Sequence, residues 1–173
     1  MGYDRATECT NSRGGNTELY IFPFVKYSLS EIEYTGNYLT KFPEQVIYSL
    51  DSPSTSFNQP VTSEDGGTTF SQNVTFQLNK ILDTDDYKDF VGFDWRIIVR
   101  DGNGFYRMIG VETGVKGSYT EETGGSAQEF NGFKFTFETK EERTAAFLEN
   151  LDWFDINNIS AIAFQQELQY ILG

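Results

Sequence analysis

Thr69-Phe70-Ser71-Gln72-Asn73-Val74-Thr75-Phe76-Gln77-Leu78 carries apolar side chains at every second position from Val74 to Leu78, with polar residues between them. That period of two belongs to a β-strand with one face against a core and the other in water. Downstream, Trp95-Arg96-Ile97-Ile98-Val99-Arg100 and Phe105-Tyr106-Arg107-Met108-Ile109-Gly110 flank Asp101-Gly102-Asn103-Gly104. Gly and Asn tolerate the positive φ angles of tight turns, so this segment reads as a hairpin turning at Asp101, Gly102, Asn103 and Gly104. Phe133-Lys134-Phe135-Thr136-Phe137-Glu138-Thr139 alternates again and has one apolar face.

Upstream, Leu19-Tyr20-Ile21-Phe22 reads as a strand stopped by Pro23, and Gln45-Val46-Ile47-Tyr48-Ser49-Leu50 as another after the turn around Gly36-Asn37 and Pro43. From Asp51 to Gly67 the composition shifts to Ser, Pro, Thr, Asp and Gly, which predicts a loop longer than the usual connection of about 4 to 6 residues. Gly114 to Asn131 is polar and Gly-rich as well. Ile81, Leu82, Phe90 and Val91 bracket Asp83-Thr84-Asp85-Asp86-Tyr87-Lys88, a spacing that suits a short helix capped near Asp83 or Thr84. Phe147 to Leu151 forms a last apolar patch of the main body, and the run from Asn157 through Leu168 and Ile171 is amphipathic with helical spacing.

With 173 residues the chain is expected to form one domain that needs no disulfide or metal to hold its core. Its 16% aromatic content and sixteen Gly match short strands joined by tight turns better than helices. The expected fold is mainly β, a β-sandwich or small β-barrel with one short helix crossing it and a C-terminal helical tail. Residues 1–18 are expected to be a flexible N-terminal arm, 19–151 the β domain and 152–173 a C-terminal extension. Cys9 is the lone cysteine and has no internal partner, which fits assembly in a reducing cytoplasm. Met1-Gly2-Tyr3-Asp4-Arg5 opens no secretory leader, and no segment approaches the roughly 20 apolar residues of a membrane helix.

The formal net charge of −13 and pI near 4.3 argue against a nucleic-acid reader, because the basic residues are scattered singly and form no stripe that could release counterions from phosphates. The acid excess serves solubility, or makes a wall past which DNA slides without sticking.

Catalytic chemistry has little to stand on. The chain contains no histidine, which removes the usual triads and most metal sites. Cys9 has no base to activate it. Glu121-Glu122 and Asp85-Asp86 are neighbours in sequence, whereas acid–base pairs come from separate elements flanking the scissile bond. Asp83-x-Asp85 opens like a calcium loop, but Tyr87 and Lys88 occupy positions that need a ligand and a glycine. Gly102-Asn103-Gly104 lacks the third glycine of a dinucleotide loop. Asn73-Val74-Thr75 and Asn158-Ile159-Ser160 match the glycosylation pattern by chance in a chain without a leader. No catalytic residue, metal ligand or cofactor site is assigned, and a non-enzymatic role is expected.

Four stretches carry a family resemblance: Ser12-Arg13-Gly14-Gly15-Asn16-Thr17-Glu18-Leu19-Tyr20-Ile21, Glu64-Asp65-Gly66-Gly67-Thr68-Thr69-Phe70-Ser71-Gln72, Asp101 to Gly110, and Asn131-Gly132-Phe133-Lys134-Phe135-Thr136-Phe137. Over residues 12 to 150 the chain resembles structural proteins of tailed phages and prophages of Bacteroidetes-type hosts, similar to tail-tube and tail-ring proteins. The resemblance implies a homo-oligomeric ring around the DNA path, in the virion tail or at the head–tail junction, assembled in the host cytoplasm. It further implies contacts to neighbouring tail or connector proteins, passage of double-stranded DNA without specific binding, and no membrane. The chain departs from the pattern by running on to Gly173, an extension suited to specifying a neighbour, so tube subunit and connector ring both stand.

Ring proteins pair sheet edges between subunits. The expected contacts are the leader at Arg13, Gly14, Gly15 and Asn16, and the loop at Ser52, Phe57, Glu64, Asp65, Gly66 and Gly67, ordering on assembly. The competing class is a carbohydrate-binding β-sandwich, in which exposed Trp95 and Trp153 would stack on sugars in one groove.

Overall fold

The computed structural model describes residues 16–52, 54–80, 87–126, 128–159 and 163–164. In chain order the elements are β1 (Asn16–Pro23), β2 (Glu33–Thr35), β3 (Tyr38–Lys41), β4 (Gln45–Leu50), β5 (Thr55–Asn58), β6 (Val61–Glu64) and β7 (Gly67–Asn79). A short helix follows, α1 (Lys88–Val91), and then β8 (Trp95–Asp101), β9 (Tyr106–Ile109), β10 (Lys116–Glu122), β11 (Gly132–Glu141), β12 (Ala146–Leu148) and β13 (Phe154–Asn158).

The strands form two open sheets, an arrangement compatible with a β-sandwich. The larger runs β13-β4-β1-β8-β9-β12-β3-β2, and the smaller runs β10-β11-β7-β5 with β6 also paired to β7. One core cluster draws on both sheets: Leu19, Ile21, Ile97, Val99 and Ile109 from the larger, and Val74, Phe76, Leu78, Phe133, Phe135 and Phe137 from the smaller. Strict alternation in β7 and β11 therefore reports a sheet with one wet face. Phe135 sits at the centre of an aromatic array, its ring 5.1 Å from Phe76, 5.2 Å from Tyr87 and 5.2 Å from Phe90.

The central strand β8 of the larger sheet is buried on both faces. Tyr20, Phe22, Ile47, Ile98 and Met108 on its far side share a second core cluster with Leu39, Ala146 and Leu148 from β3 and β12 of the same sheet and with Phe42 and Leu151 from the connecting segments. That second cluster explains why Trp95 to Val99 is apolar without alternation, as strands covered on both faces are. Only Arg96 breaks the run.

Several expectations are corrected. The long loop predicted between Asp51 and Gly67 contains β5 and β6, both hydrogen-bonded antiparallel to β7. The polar stretch from Gly114 contains β10, which pairs with β11 over its whole length. Ser and Thr side chains tolerate a strand at a sheet edge, where pairing is made by backbone groups and needs no apolar face. Phe154–Asn158, which includes the first two residues of the expected helical run from Asn157, is a strand parallel to β4. The remainder of that tail, apart from Ile159, Ala163 and Phe164, lies outside the described residues, as do Asp83 and Thr84 at the expected helix start. Phe164 is buried in the chain's own core, 5.2 Å from Phe90. Among the described residues no helix is long and apolar enough to cross a membrane.

Gly132 reads as sequence punctuation but is fixed by packing. A Cβ there would collide with the Leu78 carbonyl oxygen and approach Phe130 to 2.8 Å and the Lys80 nitrogen to 2.9 Å. Gly132→Ala is expected to cost at least about 2 kcal/mol by forcing β11 off β7. Gly66→Ala, with nothing within 4 Å of the added carbon, should stay within about 0.5 kcal/mol of the parent in the same urea titration.

Candidate functional site

Among the described residues the buried polar side chains are Gln72, Arg96 and Glu141, and each is spent on holding the backbone. Glu141 Oε1 accepts from the backbone N–H groups of Glu112 and Thr113 and from the Thr113 hydroxyl, each at 3.0 Å. Its Oε2 accepts from Gln72 Nε2 at 3.2 Å, while Gln72 Oε1 accepts the Gly110 N–H at 3.0 Å. Together they clamp the turn Gly110–Gly114, where both glycines have positive φ, 75° and 71°. Arg96, 1% exposed, donates through Nε and Nη2 to the Val111 carbonyl and through Nη1 to that of Val25, and it stacks 4.3 Å from the Phe24 ring. Burial in this apolar setting pushes its guanidinium down to about 10, so it stays charged at neutral pH.

Beside Arg96 lies a cavity of about 500 Å³ lined by Lys26, Tyr27, Leu29, Tyr34, Glu112 and Arg143, among others. Arg143 lies 4.1 Å over the Tyr34 ring and 3.7 Å from Glu112. Burial, with help from the carboxylates of Glu112 and Glu141, pushes the Tyr34 phenol up to about 12, keeping it a donor. Among the described residues no group of three or more His, Cys, Asp or Glu side chains is arranged to hold a metal ion.

The sheet borders offer more. β11 pairs with β7 only as far as Glu141 opposite Phe70. Beyond that point Gly67, Thr68 and Thr69 pair with β6 alone, opposite Glu64, Ser63 and Thr62. The result is a two-stranded ribbon projecting past the smaller sheet, with every residue from Val61 to Thr69 exposed and Val61 at 56%. Isolated two-stranded ribbons are marginal in water. Its tip carries Glu64 and Asp65. Elsewhere, β13 and β2 end the larger sheet and β10 ends the smaller one opposite β5 and β6. Ile156, on β13, is 46% exposed.

The wet face of the smaller sheet is not acidic. Lys116, Lys134 and Lys140 share it with Glu122 and Glu138, in register with Ser, Thr, Asn and Gln on the neighbouring strands. A groove of about 870 Å³ crosses it, and its charged lining is Lys116 and Lys140 against Asp94 and Glu138. The surplus of carboxylates that sets the net charge of −13 lies elsewhere.

The expected contact residues separate into two groups. Glu64, Asp65, Gly66 and Gly67 come together at the ribbon tip, with φ +124° at Gly67. Ser52 and Phe57 belong to the fold. The Ser52 hydroxyl lies 2.8 Å from the Gln77 carbonyl and accepts the Gln77 N–H at 3.2 Å. Phe57 packs on the core under Arg107, whose guanidinium is 5.0 Å from its ring. Asn16 opens β1, opposite Asp101, while Arg13, Gly14 and Gly15 lie outside the described residues. The hairpin turn forms at Asp101–Gly104. Gly104 alone there takes positive φ, +89°, and the Asp101 carboxylate accepts the N–H groups of Asn103 and Phe105. Trp95 is fully buried and donates to the Phe90 carbonyl at 2.6 Å, and Trp153 is half-buried beside Phe154.

Sequence reasoning missed the ribbon and the Arg96 cavity. Asp65-Gly66 between two runs of β-compatible residues was the available hairpin signal. Nothing in the sequence marks Arg96, because a lone cation in an apolar strand carries no partner with it. No family model, no curated protein and no solved structure matches the chain.

Proposed function

We propose that this chain is a ring-forming structural subunit of a tailed-phage particle, a tail-tube or head–tail connector protein that surrounds the DNA path and performs no chemistry. In finer detail the fold on this reading is a tail-tube-like β-sandwich, with an N-terminal arm and a C-terminal extension flanking it. The observation that carries the reading is the projecting ribbon Val61–Thr69, a solvated backbone surface that beyond Phe70 pairs with no third strand among the described residues. The open borders at β13, β2 and β10 add further unpaired edges that adjacent subunits can use. The charge-balanced face of the smaller sheet suits contact with another protein, and the acidic remainder suits a channel wall that repels phosphate. Neighbouring tail or connector proteins are the remaining partners.

The test is negative-stain electron microscopy with sedimentation velocity on the purified full chain. Closed rings or stacked tubes of uniform diameter are expected. A monodisperse monomer across the whole concentration range, up to roughly 1 mM, would sink the proposal.

A further inference from the structure

The borders of the two sheets differ in what they offer a neighbour. β2 is three residues long and irregular between Glu33 and Tyr34, and β5 and β6 are four residues each. β10 is longer but carries Lys116, Glu121 and Glu122, and charged side chains discourage edge pairing. β13, Phe154-Asp155-Ile156-Asn157-Asn158, has no Lys, no Pro and no bulge, and its Ile156 is 46% exposed.

The bonds to β4 fix which way the β13 backbone faces. The Trp153 carbonyl accepts the Gln45 N–H at 3.2 Å, and the Ile159 N–H donates to the Ser49 carbonyl at 3.3 Å. Phe154 stands opposite Gln45 and Asn158 opposite Ser49. In a parallel ladder alternate residues bond the same neighbour, so Asp155 and Asn157 face β4. The N–H and C=O groups of Ile156 and Asn158 face away from it, together with the Phe154 carbonyl. Among the described residues nothing takes these groups up; the Phe154 N–H is used, by the Leu151 carbonyl at 3.0 Å.

We propose that β13 pairs antiparallel with β13 of a second copy about a two-fold axis through Ile156, joining the larger sheets of two chains into one. With the axis there, the two Ile156 residues exchange both backbone bonds, and each Asn158 N–H reaches the other copy's Phe154 carbonyl. The same register sets Asp155 opposite Asn157 of the other copy on both sides of the axis. No carboxylate then faces a carboxylate across the seam, on a chain of net charge −13, and the Asn157 amide donates to the Asp155 carboxylate. The two Ile156 side chains lie side by side on the face that holds Phe154 and leave water together. An axis one residue back, at Asp155, would oppose the two carboxylates and present groups already bonded to β4. A contact repeated around a ring is head-to-tail, whereas this one is two-fold, so the seam goes beyond the ring reading and does not rest on it.

Sedimentation velocity of the full chain in a dilution series tests it, reading dimerisation of chains or, where rings form, of rings. Ile156→Pro removes the outward N–H, leaves the bonds to β4 in place, and should weaken the dimer at least about tenfold. Asn157→Lys faces Asp155 with a cation and should tighten it about fivefold, while Asn157→Asp faces it with a second carboxylate and should loosen it by a similar factor. The same two changes at exposed Asn58, on β5 of the smaller sheet, read the effect of net charge alone and should move the dimer less than about twofold. Circular dichroism checks folding, and the Asn157 pair carries the test if Ile156→Pro unfolds. A folded Ile156→Pro chain that dimerises like the wild type, or Asn157 variants that respond no more than the Asn58 ones, overturns the seam and leaves the ring reading standing. A wild type that stops at dimers sensitive to these changes supports the seam and goes against the ring. A monomer up to roughly 1 mM overturns both.

Discussion

Phe135→Ala lowers the stability of the chain by about 4 kcal/mol, the range found when a large aromatic is deleted from a packed core. Phe135 is fully buried on β11 and touches rings from three other elements: Phe76 on β7, Phe90 on α1 and Tyr119 on β10, besides Tyr87 ahead of the helix. Neighbours held by the paired strands of the smaller sheet and by α1 cannot collapse into the vacancy, so the loss of transfer energy and the cavity add. Urea unfolding followed by tryptophan fluorescence measures it, with Trp95 as a reporter 5.0 Å from Phe90. A midpoint shift equivalent to less than about 2 kcal/mol would mean the array is loosely packed and the two-sheet core is misassigned. Phe147→Ala, on a half-buried ring of β12, should cost less than half as much in the same titration.

Glu141→Ala is expected to cost about 3 kcal/mol, although it removes only a carboxylate at the end of a strand. The reason is what it leaves behind. The N–H groups of Glu112 and Thr113 and the Nε2 of Gln72 lose their acceptor, and Gln72 is itself fully buried. Glu141→Gln keeps one acceptor for the turn but presents an amide N–H₂ to the Gln72 donor, so about half the loss should remain. Amide hydrogen exchange at Thr113 separates this account from a general loosening: its protection should fall in both variants by more than that of Val99 in β8. Equal loss at both positions would contradict the clamp.

The strands that were legible in the sequence are those with a side-chain reason to exist. β7 and β11 declare themselves by alternation, because one face meets the core and the other meets water. β8 declares itself by a solid apolar run, although nothing in that run says that its second face joins a separate cluster with Leu39, Phe42 and Leu148. β5, β6, β10 and β13 were read as loop or helix. Their side chains are polar or mixed, and their evidence is the backbone pairing with β7, β11 and β4, which leaves no mark on residue type. The same division runs through the contact residues. The segment Glu64–Gly67 stood out by its charge and glycines, whereas Ser52 and Phe57, chosen from the same loop-like composition, turn inward.

Composition and period by themselves determined that this is a β protein with an aromatic core, that its surface is acidic, and that no histidine-based chemistry is available to it. Those properties are local sums over side chains. Only the tertiary structure decided that the polar stretch after Asp51 becomes a ribbon extending past its sheet, and that Arg96 ends up buried beside a cavity. Both depend on where one strand stops relative to its neighbour, and register is set by the whole set of cross-strand pairs at once.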